Sequence, residues 1–156
     1  MSADVARRWS DDLRRRVVAG TLNRLSAEDW AELLWRARVR DYQLDDVVLR
    51  QAALPEGLFL LTDGEVRIER DDGGRTMLLA RLGPGSVLGE MSFLDQSGAS
   101  ASVIADGKVE ALFVETRDLA QLIEADEGFA ARFYQSLATT LSHRLRATNE
   151  LIRGSF

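Results

Sequence analysis

Gly83-Pro84-Gly85-Ser86-Val87-Leu88-Gly89-Glu90-Met91-Ser92-Phe93-Leu94 sets a tight turn, a short apolar run and a glycine–glutamate pair in immediate succession, and Ser100-Ala101-Ser102-Val103 follows it. A loop that presents free backbone amides at the start of a short helix forms a nest for an anion, and a glycine at position 89 allows close backbone approach where a side chain would block it. Glu90 stands at the end of an otherwise apolar strand. When ionised it only accepts hydrogen bonds, which suits it to a donor such as a sugar hydroxyl. Gly83 and Gly85 form a turn and not a dinucleotide loop, because Pro84 lies between them and the next glycine comes only at Gly89.

Around this cassette the chain reads as short strands. From Val39 to Val114 the apolar runs are Val47-Val48-Leu49, Leu58-Phe59-Leu60-Leu61, Met77-Leu78-Leu79, Ser102-Val103-Ile104 and Leu112-Phe113-Val114. Turn residues punctuate them at Asp45-Asp46, Asp63-Gly64, Asp71-Asp72-Gly73-Gly74, Gly83-Pro84-Gly85 and Asp106-Gly107. Between Glu65 and Glu69, Val66 and Ile68 alternate with polar residues, as in a half-buried strand. The pattern predicts a mainly β fold with flanking helices: an antiparallel jelly-roll barrel (double-stranded β-helix), which protects its edges by closure or by stacking two sheets.

Helical periodicity brackets the strands. Val5, Trp9, Leu13, Val17 and Val18 predict one amphipathic helix from Val5 to Asn23, with Arg14-Arg15-Arg16 on a solvated face. Ser26 caps a second helix that carries Glu28 and Asp29 in its first turn, a buried stripe of Trp30, Leu33, Leu34 and Ala37, and an end near Arg38. After Thr116 a short helix runs from Arg117 to Ala125, and Asp126 opens a long one to about Ile152. At about 1.5 Å per residue that helix is roughly 40 Å long, longer than a small barrel is wide. Phe129, Phe133 and Leu137 form one stripe on it; Tyr134, Ala138, Leu141, Leu145, Thr148 and Ile152 form another with the four-three spacing of a coiled-coil seam. The expected organisation is an N-terminal amphipathic helix over residues 1–24, a β-barrel with its preceding and short closing helices over 25–126, and a long C-terminal helix over 127–156.

The cassette and its setting resemble the cyclic-nucleotide-binding domains of bacterial catabolite-activator-type regulators, protein kinase regulatory subunits and gated channels. The resemblance runs from about Leu22 to Leu145. It rests on the helix before the strands, Gly64-Glu65-Val66 after a hairpin turn, the Gly-Pro-Gly-Ser turn, Gly89-Glu90 and the two closing helices. It implies that Glu90 accepts a ribose 2′-hydroxyl, that amides near Gly89 and Ala101 approach a cyclic phosphate, and that Ser100 contacts the phosphate or a guanine amino group, with Met91 in the same set. One position departs from the pattern. The family places an arginine before the Ser/Thr-Ala pair as a charge-assisted phosphate contact, and this chain has Ala99 there. Neither Lys nor Arg occurs between Arg81 and Lys108, so a shift of one or two residues restores nothing. Loss of such a contact costs on the order of 2–5 kcal/mol, or about 30-fold to several thousand-fold in affinity, unless Arg75 or Arg81 reaches in from another strand.

Composition narrows the function classes. The 156 residues, 46% hydrophobic and 29% charged, suit one domain. No apolar run is long enough for a membrane span and the N-terminus lacks a signal peptide's apolar core, so we expect a cytoplasmic protein without membrane contact. The absence of cysteine removes disulfides, thiolate nucleophiles and cysteine-based metal sites, and with His143 as the single histidine a multi-histidine metal site is excluded. An enzyme on a cupin-type scaffold is thereby disfavoured, and no Ser–His–acid or paired-carboxylate arrangement is discernible. Residues 51–126 carry 6 basic against 14 acidic side chains, the wrong sign for a duplex-binding face. The expectation is therefore a non-catalytic regulatory sensor that requires no cofactor. It takes a small-molecule ligand (cyclic AMP or cyclic GMP by resemblance, bound weakly or in altered form because of Ala99), makes a homodimer through the C-terminal helix, contacts an unidentified protein partner, and binds no nucleic acid directly. The alternative is a ligand-independent interaction or dimerisation module on the same scaffold. Many relatives of this type continue into a DNA-binding helix-turn-helix, so action through a partner and action as part of a longer regulator are both open.

Overall fold

The structure, a computed structural model, describes residues 1–18, 20 and 22–154; the side chains of Val18, Arg144, Thr148 and residues 151–154 lie outside the described set. The single N-terminal helix expected over Val5–Asn23 is instead two: α1 (Ala3–Arg8) and α2 (Asp11–Val18). Ser10 separates them, because its hydroxyl accepts from the Leu13 amide at 3.1 Å and its carbonyl from the Arg14 amide at 2.9 Å, which starts a new helix. Trp9 at the break stacks on Trp30 with ring centroids 5.2 Å apart. Val5, Leu13 and Val17 join the main apolar cluster, so this segment is part of the core. Next comes α3 (Ala27–Arg36), whose capping box pairs the Ser26 hydroxyl with the Asp29 amide and the Asp29 carboxylate with the Ser26 amide.

Eight strands follow: β1 (Arg38–Tyr42), β2 (Val47–Leu49), β3 (Gly57–Asp63), β4 (Val66–Asp72), β5 (Arg75–Leu82), β6 (Val87–Leu88), β7 (Ser102–Ala105) and β8 (Val109–Glu115). They form two antiparallel four-stranded sheets, ordered β1-β8-β3-β6 and β2-β7-β4-β5. This is the jelly-roll arrangement expected from the spacing of the runs. The sheets are stacked and are not closed into a barrel, so β1, β6, β2 and β5 remain edges. The run Leu58–Leu61 shows no polar alternation because both of its faces are covered. Phe59 and Leu61 pack between the sheets with Leu88, Val103, Ala111 and Phe113, whereas Leu58 and Leu60 pack under the helices with Val87, Leu112 and Val114.

Two helices close the molecule. α5 (Thr116–Ala125) begins one residue earlier than expected: Glu115 takes the cap position, while the Thr116 amide donates to the Glu56 carbonyl at 3.0 Å. α6 (Glu127–Gly154) starts where Asp126 accepts the Phe129 amide at 3.1 Å, as its sequence implied. Phe129, Phe133 and Leu137 are fully buried. The second stripe faces outward: Tyr134 is 39% and Leu145 63% exposed, Ala138 is exposed and Leu141 half-buried. Its last members, Thr148 and Ile152, fall outside the described side chains. Among the described residues no helix is long and apolar enough to cross a membrane.

Candidate ligand-binding cassette

The cassette hangs from β3. Phe59 and Leu60 pair with Leu88 and Val87, and the Gly85 amide donates to the Leu61 carbonyl at 2.8 Å, so the Gly-Pro-Gly-Ser turn, which leaves β5, is bonded to β3. Gly89 then adopts φ +86°, and a Cβ built there would stand 2.5 Å from the Gly57 carbonyl oxygen. Glycine is demanded twice at this point, by the left-handed backbone and by the contact with β3. Glu90 follows at 3% exposure and is hydrogen-bonded or paired within the structure. Met91, half-buried, occupies the cap position of the four-residue helix α4 (Ser92–Asp95), which ends on Gln96 in the left-handed region.

The return arm is held by a segment that the sequence did not single out. Residues 51–53 lie beside 98–102: the Ala52 amide donates to the Ala99 carbonyl at 2.8 Å and the Ala99 amide to the Ala53 carbonyl at 2.9 Å. Contact is close enough that a Cβ on Gly98 would meet the Ala52 oxygen at 2.2 Å. Gln51 ties three elements together. Its amide donates to Ser102 Oγ at 2.9 Å, its side-chain oxygen accepts the Asp71 amide at 2.7 Å and its Nε2 donates to the Asp71 carbonyl at 3.0 Å. Gln51 pins the return arm to the β4–β5 hairpin. Its role depends on partners 20 and 51 residues away in sequence, which local patterning does not reveal.

Of the residues expected to contact a ligand, Gly89, Glu90 and Met91 stand on the outgoing arm, and Ala99, Ser100 and Ala101 on the return arm. Ala101 is 8% exposed and Ser100 is exposed. Ala99 offers a methyl group, and both of its backbone polar groups are already bonded. The fallback of an arginine from another strand does not hold for Arg81: its Nη1 sits 2.7 Å from Asp106 Oδ2, while Arg67 binds Asp45, Glu69 and the same Asp106. Arg75 is exposed at the end of the β4–β5 hairpin, opposite Asp72.

A groove of about 590 Å³ separates the cassette from the closing helices, with Gly89, Ser92, Phe93 and Gln96 on one wall and Ala120, Ile123, Glu124 and Tyr134 on the other. Phe93 of α4 meets Phe133 of α6 edge-on, ring centroids 5.9 Å apart. The cassette and the last helix are thus in direct aromatic contact. Among the described residues no cluster of His, Cys, Asp and Glu could hold a metal ion.

The sequence profile of the cyclic nucleotide-binding domain matches residues 39–126. The chain belongs to the cyclic nucleotide-binding domain family. Relatives place the domain in different settings. The Cyclic AMP receptor protein of Thermus thermophilus is 37% identical over 108 residues, 69% of this chain and 48% of that protein. Glutaminase 1 of Bradyrhizobium diazoefficiens is 34% identical over 128 residues, 82% of this chain but 20% of that protein. The crystal structure of the Thermus thermophilus catabolite activator protein superposes with a TM-score of 0.72 at 32% identity, covering 86% of this chain and 62% of that one. This cyclic nucleotide-binding domain therefore spans about half the length of the receptor protein and a fifth of the glutaminase.

Proposed function

We propose that this chain is a non-catalytic, cytoplasmic sensor module in which a small molecule held by Gly89, Glu90, Met91, Ser100 and Ala101 repositions α5 and α6. The observation that carries this reading is the groove between Gly89 with α4 and the closing helices, bridged by Phe93 against Phe133; of the five residues Gly89 lines it, and Glu90, Met91, Ser100 and Ala101 do not. A ligand that binds better when α4 lies closer to that groove must shift α6, since differential affinity for two helix positions is all that a population shift requires. The outward stripe Tyr134, Ala138, Leu141 and Leu145 supports an output through α6: the helix pairs with its copy in a homodimer, and the pairing or a protein partner reads the shift. Cyclic AMP or cyclic GMP is a weak ligand of this site, because Ala99 brings no charge to the phosphate.

A second reading, a ligand-independent dimerisation module, is favoured by the same missing cation. The absence of native cysteine makes the two separable. Leu94 and Leu145 are exposed at 40% and 63%, so Leu94→Cys and Leu145→Cys together accept a spin-label pair across α4 and α6. Millimolar cyclic AMP is expected to release heat in calorimetry and to shift the label distance. No heat and an unchanged distance with cyclic AMP, cyclic GMP and cyclic di-GMP, in a chain that still sediments as a dimer, would establish the second reading.

A further inference from the structure

We infer that the groove between α4 and the closing helices is a binding site in its own right, for a small organic cation with an apolar body; this goes beyond the sensor reading and holds whatever the cassette binds. At about 590 Å³ the groove has the size of a small-molecule cavity, which runs to about 300–1,000 Å³ and is mostly apolar with a few polar groups. Its walls come from residues 54–56 before β3, from Gly89 and residues 92–96, and from α5 and α6. Leu54, Phe93, Ile123 and Tyr134 make that surface largely apolar. Leu54 is 64% exposed and Tyr134 39%, so a bound apolar group would remove part of both from water. Only Gly89 is shared with the residues proposed to hold a ligand in the cassette.

The charges select the occupant. Glu56 and Glu124 are the charged residues on the wall, and no Lys, Arg or His lines it. Glu124 is exposed and has no ion-pair partner among the described residues, and Glu56 meets Arg40 through Oε2 alone. The basic residues of the closing helices nearest the groove in sequence are engaged: Arg117 lies 3.6 Å from Glu115, and Arg132 is bonded to Asp29. Asp95, Asp126 and Glu127 add negative charge on the flanking turns. A carboxylate or phosphate entering the groove therefore meets like charge, whereas a cation gains from both wall carboxylates. The Phe93 and Tyr134 rings add a second attraction, since aromatic faces are negative and suit alkylammonium groups. Both carboxylates are exposed, so the charge effect is modest and screened by salt, and burial of the apolar body carries the rest of the affinity. An occupant lies between Phe93 of α4 and Tyr134 of α6, and so resists any approach of the two helices.

Probes that share one hexyl chain separate charge from apolarity: hexyltrimethylammonium, 1-hexanol and hexanoate, titrated into the isotopically labelled intact chain and followed by amide chemical shifts. The cation should bind about 3–10-fold more tightly than the alcohol, and the carboxylate more weakly than either, with shifts centred on Gly89, Ser92, Ala120 and Ile123. Glu124→Gln should remove most of the difference between cation and alcohol, as should molar salt. Ala120→Trp sets a large ring into the groove from an exposed wall position and should abolish binding of all the probes at an unchanged melting temperature. Hexanoate binding as tightly as the cation, a preference untouched by Glu56→Gln and Glu124→Gln together, shifts that persist in Ala120→Trp, or no saturable binding of the cation would each overturn the inference. None of these outcomes bears on the cassette, which the cyclic nucleotide titrations test separately.

Discussion

Asp29 joins the start of α3 to α6, and its removal should loosen the helix on which the proposed output depends. The carboxylate accepts from the Ser26 amide at 2.9 Å, from Arg132 Nε at 2.5 Å and from Arg132 Nη2 at 2.8 Å, and its side chain is 4% exposed. Asp29→Ala loses one half of a capping box, about 1 kcal/mol. Truncating one partner of a fully buried ion pair costs about 3–5 kcal/mol, but the Arg132 side chain is 39% exposed, so water re-solvates it and the sum is about 2–3 kcal/mol. For a chain of this length that corresponds to a fall in Tm of roughly 5–10 °C. The pH dependence gives an independent check. The Arg132 guanidinium holds the Asp29 carboxyl below the usual carboxylate range, against the opposing effect of burial and with help from Ser26. A depressed folded pKa means that the unfolded state binds the proton first. The contribution is therefore complete above the unfolded value of about 4 and is lost as pH falls through the folded value. Scanning calorimetry of wild type, Asp29→Ala, Arg132→Ala and the double variant should show a deficit in the single variants that is present at neutral pH and shrinks in acid, with strong non-additivity. A Tm for Asp29→Ala within about 1 °C of wild type, or a deficit independent of pH, would refute the reasoning.

Gly89→Ala should lower Tm by several degrees through left-handed strain of about 1–2 kcal/mol plus the clash with the Gly57 carbonyl, whereas Gly73→Ala, which has a positive φ but open space around it, should cost less in the same melting assay. Removing residues 1–18 takes out Val5, Leu13 and Val17, all at most 4% exposed, and at about 1.5–3 kcal/mol each this approaches the whole stability of a domain, so the truncated chain should lack a cooperative melt. Leu141→Asp with Leu145→Asp should convert a dimer to a monomer in sedimentation while leaving the circular dichroism spectrum and Tm nearly unchanged, because neither side chain belongs to the buried core. Arg8→Ala, which frees Glu110 from the pair that lowers its pKa, should raise the pH at which acid unfolding begins.

What this sequence determined by itself was local. Turn dipeptides such as Asp63-Gly64 and Gly73-Gly74, the short apolar runs of three or four residues and the Ser26 and Asp126 caps marked the elements, because such signals act over a few residues. The Gly89-Glu90 cassette identified the jelly roll, and the four-three spacing on α6 separated its buried Phe129 stripe from the outward Tyr134 stripe. Tertiary structure decided the rest. A single amphipathic period over Val5–Val17 could not show that Ser10 would break the helix to let Trp9 stack on Trp30. The same limit applied to the return arm: Gln51 makes its three hydrogen bonds, to Ser102 and Asp71, only when the loop after β2 lies along residues 98–102 and against the β4–β5 hairpin. The fate of Arg81 was likewise invisible, since Asp106 comes within reach only because β7 and β5 flank β4 in one sheet. Charges and hydrogen-bond donors are counted in sequence but paired in space, and that pairing leaves the cassette without a free cation among the described residues on its neighbouring strands β4 and β5 other than the exposed Arg70 and Arg75 of the hairpin.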